Sequence, residues 1–299
     1  MITSNLNIKS IYDSAHNLAF EKLLKPMDID KRLYLSALFQ TPQSSNPIDR
    51  RYLVPLRRLP NKIIRYIRAM EQAMEHGTVI NIQGVSLNTV DEVALHHILV
   101  GIYLNHSKPP KRISSEIDFI VKSVADLLCS LWSSHNDVTI SWDFSTWINK
   151  QKMPDSISTR PDLVFYSDFC EVGNGEIKPI GTPKSCVDVA RARILETCKR
   201  QLHIRLKTST LPSEAITFGV LIYVSFSDGY YPYERVSVGI LPTSFDTYKN
   251  AEKTLMDLIQ LKESMNMSLP TESTSEEFIL VDKNFLLPTV SYSSIVKYN

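Results

Sequence analysis

The chain has 299 residues, 43% of them apolar and 22% charged, with a formal net charge of +1. That apolar share fills the core of one large domain or two small ones, and the charge balance excludes an intrinsically disordered chain. It also excludes a global electrostatic pull toward nucleic acid, so any such contact must rest on a local basic patch.

The four cysteines, Cys129, Cys170, Cys186 and Cys198, show neither CxxC nor zinc-ribbon spacing, which predicts reduced, mostly buried thiols. No basic N-terminal stretch leads into an apolar run, so no secretory signal is expected. The longest apolar runs, near 98–104 and 220–224, fall far short of the roughly 20 residues that span a bilayer. The reading is a soluble intracellular protein, nuclear or cytoplasmic, with no membrane partner.

Residues 1–110 read as a mainly helical N-terminal extension packed on the core. Within it, Ile63, Ile64, Ile67, Met70 and Met74 recur at helical spacing over 63–76, with Arg65, Arg68, Glu71 and Glu75 between them. A short strand is expected at 78–85. A helix follows from 89 to about 104, with Asn88 as its N-cap and Asp91 and Glu92 in its first turn. Pro109-Pro110 breaks the chain, and the core is placed at 111–265.

Ser114 or Ser115 caps a helix running to about 132. Its apolar positions Ile117, Ile120, Val121, Val124, Leu127, Leu128 and Leu131 form one core-facing stripe. Strands are expected at 138–144, at 163–166 and 169–172 (two strands or one long one) and at 176–180, then a helix at 186–206 and a buried strand at 216–226. A strand at 235–241, entered from the turn Ser227-Asp228-Gly229, and an amphipathic helix at 247–262 complete the core. Residues 266–299 read as a polar surface loop and a C-terminal tail.

The chemistry concentrates in Arg160-Pro161-Asp162-Leu163-Val164-Phe165 and Gly175-Glu176-Ile177-Lys178-Pro179. Alternation along a strand puts Glu176 and Lys178 on one face and Ile177 on the other. Two carboxylates and an ammonium at one spot suit a divalent cation: the carboxylates hold it, and the lysine serves the attacking water or the scissile phosphate. Each residue also has an ordinary reading. Pro-Asp is common in loops, an edge lysine discourages aggregation, and Glu-x-Lys recurs by chance.

Position separates the readings, because Glu-x-Lys stands second in a β-β pair and before a basic helix. A hairpin turn at Asn174-Gly175 leaves Asp162 far down the ladder. A turn at Ser167-Asp168 instead puts Asp162 near Gly173 and close to Glu176, with Gly173 and Gly175 forming a bulge. The active-site reading requires the second arrangement, which is preferred. Glu171 lies at an odd offset from Glu176 and reads as an exposed strand glutamate.

Together these motifs resemble the PD-(D/E)xK nuclease superfamily over roughly residues 114–226. The expected order of helix, three strands, helix and strand matches its restriction-endonuclease-like α-β-β-β-α-β core, an α/β fold with a mixed central sheet. The segments Ser115-Glu116-Ile117-Asp118-Phe119, Ser141-Trp142-Asp143 and Gly175-Glu176-Ile177-Lys178-Pro179 resemble a divergent lineage found in fungi.

The resemblance implies a nuclease that uses Mg2+ or Mn2+ to hydrolyse DNA, with RNA as the second choice. It implies Asp162 and Glu176 as metal ligands and Glu116 completing the metal shell, with Asp118 as the alternative. Lys178 is the further catalytic residue, and Lys199 and Arg200 on the basic helix contact phosphates. Gln201 matches a glutamine of some branches, but Arg205 stands where the RecB-like branch carries tyrosine.

The superfamily also includes members that have lost catalysis. The alternative is therefore a nuclease-fold module that binds nucleic acid or protein, with Glu176–Lys178 as a plain salt bridge. Other chemistries are poorly served. Only nine glycines occur, with neither GxGxxG nor a phosphate loop, and there is no Gly-x-Ser-x-Gly elbow. His96 and His97 are adjacent, about 100° apart on a helix, and cannot share a metal. Cys170 has no histidine partner in the sequence.

Overall fold

The structure is a computed structural model. It describes residues 39–40, 50–80, 86–106, 115–133, 137–142, 161–167, 170–179, 181–208, 216–220, 222–225, 231–237, 239–242 and 245–269. The helical spacing near 63–76 forms α1 (Asn61–His76), which buries Ile63, Ile64, Ile67 and Met70. It stops at Gly77, whose φ of 63° is left-handed and whose N–H donates to the Ala73 carbonyl, a conformation without Cβ strain only for glycine.

Helix α2 (Val90–His106) starts one residue later than expected. Its N-cap is Thr89 rather than Asn88, because Thr89 Oγ1 accepts from Glu92 N at 3.2 Å while Glu92 Oε2 accepts from Asn88 N at 2.7 Å. This reciprocal pair satisfies two donors that the helix start leaves open. The strand expected at 78–85 is not formed at 78–80, and 81–85 lie outside the described residues.

The next helix is not uniform. Ser115 Oγ accepts from Asp118 N at 3.1 Å and caps α3 (Glu116–Phe119). A π-helical turn (Ile120–Val124) follows, and then α4 (Ala125–Trp132). The wide turn rotates the residues before it relative to those after it, so the single apolar stripe is broken. Phe119, Val124, Leu127, Leu128 and Leu131 are buried, but Ile117 and Val121 are 73% and 64% exposed and do not face the core.

Among the described residues, seven strands form one sheet in the order β1-β7-β6-β5-β4-β3-β2. They are β1 (Phe39–Gln40), β2 (Thr139–Trp142), β3 (Leu163–Tyr166), β4 (Glu171–Gly175), β5 (Ile216–Gly219), β6 (Ile222–Ser225) and β7 (Tyr231–Arg235). The sheet is mixed. β2, β3 and β4 are successively antiparallel, and β4 and β5 are parallel, joined through α5 (Lys184–Thr208). β1 pairs parallel with β7, so the N-terminal extension contributes a strand as well as helices.

Several strand boundaries differ from expectation. The expected strand at 216–226 is an antiparallel pair, β5 and β6, that reverses after Gly219. β7 lies earlier than the strand expected at 235–241, and its proposed entry turn at 227–229 lies outside the described residues. The helix expected at 247–262 is split into α6 (Phe245–Tyr248) and α7 (Ala251–Met267). The tail from 270 onward also lies outside the described residues.

Helix α2 packs on α4 and α1 on α7. Ile63, Leu99, Leu128, Phe165 and Leu255 belong to one buried cluster, so these helices share a core with the sheet. The described cysteines are all free, but only Cys198 is buried and Cys129 is exposed, against the expectation of mostly buried thiols.

Candidate active site

The site is built from three chain segments. β3 and β4 pair with Leu163 opposite Gly175, which brings Asp162, just before β3, to the level of Glu176, just after β4. The alternative turn at Asn174-Gly175 is thereby excluded, since both residues lie within β4. The ladder slips between Phe165 and Tyr166, which face Gly173 and Glu171, so the bulged residue is Val172 rather than Gly173 or Gly175.

The two glycines have a different reason. A Cβ on Gly173 would stand 2.5 Å from the Phe218 carbonyl oxygen on β5, and one on Gly175 would collide with the Val220 side chain. They allow β5 to approach β4 closely.

β4 ends at Gly175, so Glu176–Lys178 is not a strand as expected but the segment that leaves it. Alternation persists nonetheless. Ile177 is buried in the core, while Glu176 and Lys178 both turn to the site. Lys178 Nζ forms an ion pair with Glu116 Oε1, lies 3.4 Å from Glu176 Oε2 and lies 4.0 Å from Asp162 Oδ2. Glu116 reaches in from the first turn of α3, which the Ser115 cap sets in place. Asp118, its alternative, pairs with Lys122 one turn on instead.

Burial and crowding shift these groups. The Glu176 side chain is only 4% exposed. Burial pushes its carboxyl up to about 7, the Asp162 charge adds to the push, and Lys178 and Arg193 oppose it. Asp162 is also raised, first by burial, although the Ile177 N–H and Lys178 favour its charged form. Burial works against the Lys178 ammonium, yet the Glu116 hydrogen bond and the charges of Asp162 and Glu176 hold it above the usual lysine value.

The basic helix behaves differently from expectation. Lys199 on α5 is fully buried, with Nζ 4.7 Å from the Tyr231 ring centroid, and burial brings its pKa down to about 7. It has no solvent face with which to contact phosphate, so that assignment is corrected. Arg200 is partly buried. Arg193 of α5 is exposed and favours the charged forms of both Asp162 and Glu176.

Glu171 is buried rather than exposed, because Gln201 Nε2 donates to its Oε2 at 3.0 Å and to the Gly173 carbonyl at 3.1 Å. Asn174 Nδ2 in turn donates to Gln201 Oε1 at 3.1 Å. This network locks α5 onto β4 immediately beneath the site. Arg205, where the resemblance departs, bonds the carbonyls of Ile216 and Ser268 at 2.5 Å each and serves as a buried brace.

Among the described residues, no three His, Cys, Asp or Glu side chains form a group able to hold a metal ion. The donor set is nevertheless all oxygen, with the buried Glu176 carboxylate and the half-buried Asp162 carboxylate, whose charges repel. That suits a hard cation such as magnesium, which typically takes one or two carboxylates and completes its shell with water and substrate phosphate.

A cavity of about 390 Å3 opens beside Glu176 and Lys178. No helix among the described residues is long and apolar enough to cross a membrane. Comparison with protein-family models, with curated proteins and with solved structures finds no match.

Proposed function

We propose that the chain is a metal-dependent nuclease of the PD-(D/E)xK type, with a restriction-endonuclease-like core at 111–265. It hydrolyses phosphodiester bonds of DNA and, as the second choice, RNA. The observation that carries this reading is the convergence of Asp162, Glu176 and Glu116, from three separate segments, on the Lys178 ammonium.

Asp162 and Glu176, with Glu116 beside them, would hold Mg2+ or Mn2+, which supplies Lewis-acid stabilisation and an acidified bound water. Hydrolysis would add one water across a P–O ester bond: the hydroxyl joins phosphorus, the P–O ester bond breaks, and the water's other proton ends on the departing ester oxygen. Lys178, kept charged by its three carboxylates, neutralises charge that develops on the phosphoryl oxygens. Glu176, whose carboxyl burial and the Asp162 charge raise to about 7, is a ligand whose ionised form the cation would favour. Arg193 is the cation of α5 nearest in effect to these groups and steadies an incoming phosphate.

A second reading, a non-catalytic binding module, is favoured by one observation: Lys178 is already ion-paired with Glu116. Cleavage assays with Mg2+ and Mn2+ on single- and double-stranded DNA and on RNA decide between them. Metal-dependent cleavage that disappears in Asp162→Asn supports the nuclease, and binding without cleavage supports the module.

A further inference from the structure

We propose that the cavity beside Lys178 receives one unstacked nucleobase, which makes single-stranded DNA the preferred substrate; this rests on the nuclease reading above. Its volume of about 390 Å3 falls within the roughly 300–1,000 Å3 of pockets that enclose a small organic ligand. Glu176 and Lys178 are part of the lining, so the cavity begins at the reacting centre itself.

Beyond those two residues the walls are mostly apolar, with Phe119, Leu128 and Leu163 joined by Val187 and Ile194 of α5 and by Ile240 after β7. Val187 and Ile240 are large apolar side chains left exposed to solvent. Phosphates and sugars of an intact duplex gain nothing from such a wall, because desolvating them against it is unfavourable. The base attached to a bound phosphate is the part of a nucleotide whose faces gain by leaving water for apolar walls.

The polar groups in the lining are few. Thr254 and Asp257 join Glu176 and Lys178. Asp257 Oδ2 accepts from Ser237 Oγ and from Lys253 Nζ, both at 2.6 Å, so the charge it brings to the lining is already paired within the protein. A duplex must break a pair and a stack to deliver a base here, whereas a single strand does not.

The test uses the full chain and two readouts. One is cleavage of a DNA single strand and of its duplex with Mg2+ or Mn2+. The other is metal-free fluorescence titration with the same single strand carrying one 2-aminopurine. Ile240→Trp and Val187→Trp each narrow the cavity. Val79→Trp, at a position 91% exposed and away from the cavity, controls for the added bulk. Circular dichroism checks that each variant is folded.

The expected result is cleavage of the single strand at least tenfold faster than the duplex, with a change in 2-aminopurine emission on binding. Both should fall at least tenfold in the two cavity variants and in neither case in Val79→Trp. Equal cleavage of both substrates, unaffected by Ile240→Trp and Val187→Trp, overturns the base pocket and leaves the nuclease reading standing. Absence of cleavage, with an emission change that the cavity variants abolish, overturns the nuclease reading and supports the pocket. Absence of both signals overturns both.

Discussion

Asp162 Oδ2 accepts a 2.6 Å hydrogen bond from the backbone N–H of Ile177, tying the start of β3 to the segment that carries Glu176 and Lys178. One carboxylate thus has two tasks, fixing the backbone between the other two site residues and presenting charge to them. Substitutions separate these tasks. Asp162→Asn retains an acceptor and removes the charge, so cleavage should be lost while stability stays within about 1 kcal/mol of wild type or rises, since crowded carboxylates repel. Asp162→Ala also strands the Ile177 N–H and should cost a further 1–2 kcal/mol or so. Urea unfolding beside the cleavage assay checks both, and equal stability of the two variants would remove the backbone role.

Lys178 distinguishes a catalytic group from a salt bridge. In the nuclease, Lys178→Ala should lower single-turnover cleavage by about 100- to 1,000-fold while metal affinity is kept or improved by loss of a like charge. Lys178→Arg should rescue poorly, because a planar guanidinium cannot replace one point charge shared among three carboxylates. If the residue is only an ion pair, alanine costs at most about 1 kcal/mol of stability and arginine substitutes well. Calorimetric metal titration paired with single-turnover kinetics on the three proteins gives the answer.

Glu176 predicts a pH dependence with a definite sign. Its folded-state value of about 7 lies above the ordinary 4.5, so the folded protein binds the proton more tightly than the unfolded chain. Stability from this group is therefore highest below about pH 4.5, falls as pH rises and is fully lost above about pH 7. The raised Asp162 acts in the same direction. Glu176→Gln removes this titration. Its stability relative to wild type should be unchanged at pH 4 and should climb to a gain on the order of 2 kcal/mol by pH 8. Mg2+ at pH 8 should raise the wild-type Tm and not that of the variant. A stability difference that is flat from pH 4 to 8 would refute the assignment.

The paired glycines of β4 are expected to differ. Gly173→Ala drives a Cβ against the Phe218 backbone carbonyl, which is held in the β5 ladder and cannot retreat. Gly175→Ala meets side-chain atoms of Val220 and Leu163, which are less firmly fixed than a backbone carbonyl in a ladder. Overpacking should cost about 1–3 kcal/mol at Gly175 and more at Gly173. Because Gly175 adjoins Glu176, its alanine variant should also lose cleavage beyond its loss of stability. Chemical denaturation and kinetics of both variants test the order.

Much of the site was legible because its signals are local. A serine before an acidic turn caps a helix wherever that helix packs, and Ser115 does so here with Glu116 in the first turn. Pro161-Asp162 before an apolar run starts a strand, and β3 begins at Leu163. The two-residue period put Glu176 and Lys178 on one side and Ile177 on the other, even though the ladder ends at Gly175. The helix at 63–76 was equally local, since its apolar spacing lies in one short window, whereas the left-handed stop at Gly77 emerged from the structure.

The ionisable candidates of the site and the periodicity of the elements that carry them were thus written into short stretches of chain. Which faces are covered came from the fold, because coverage depends on partners far away in the chain. Lys199 reads as a surface cation until Tyr231 of β7 lies against it, and Glu171 reads as exposed until Gln201, thirty residues on, bonds its carboxylate. Ile117 and Val121 fit a core stripe until a π-helical turn rotates them into solvent. The glycines of β4 fit a bulge until β5 packs close beside them. In each case a local pattern fixes the direction of a side chain relative to its own element, and the energy that buries or exposes it comes from a segment the pattern does not contain.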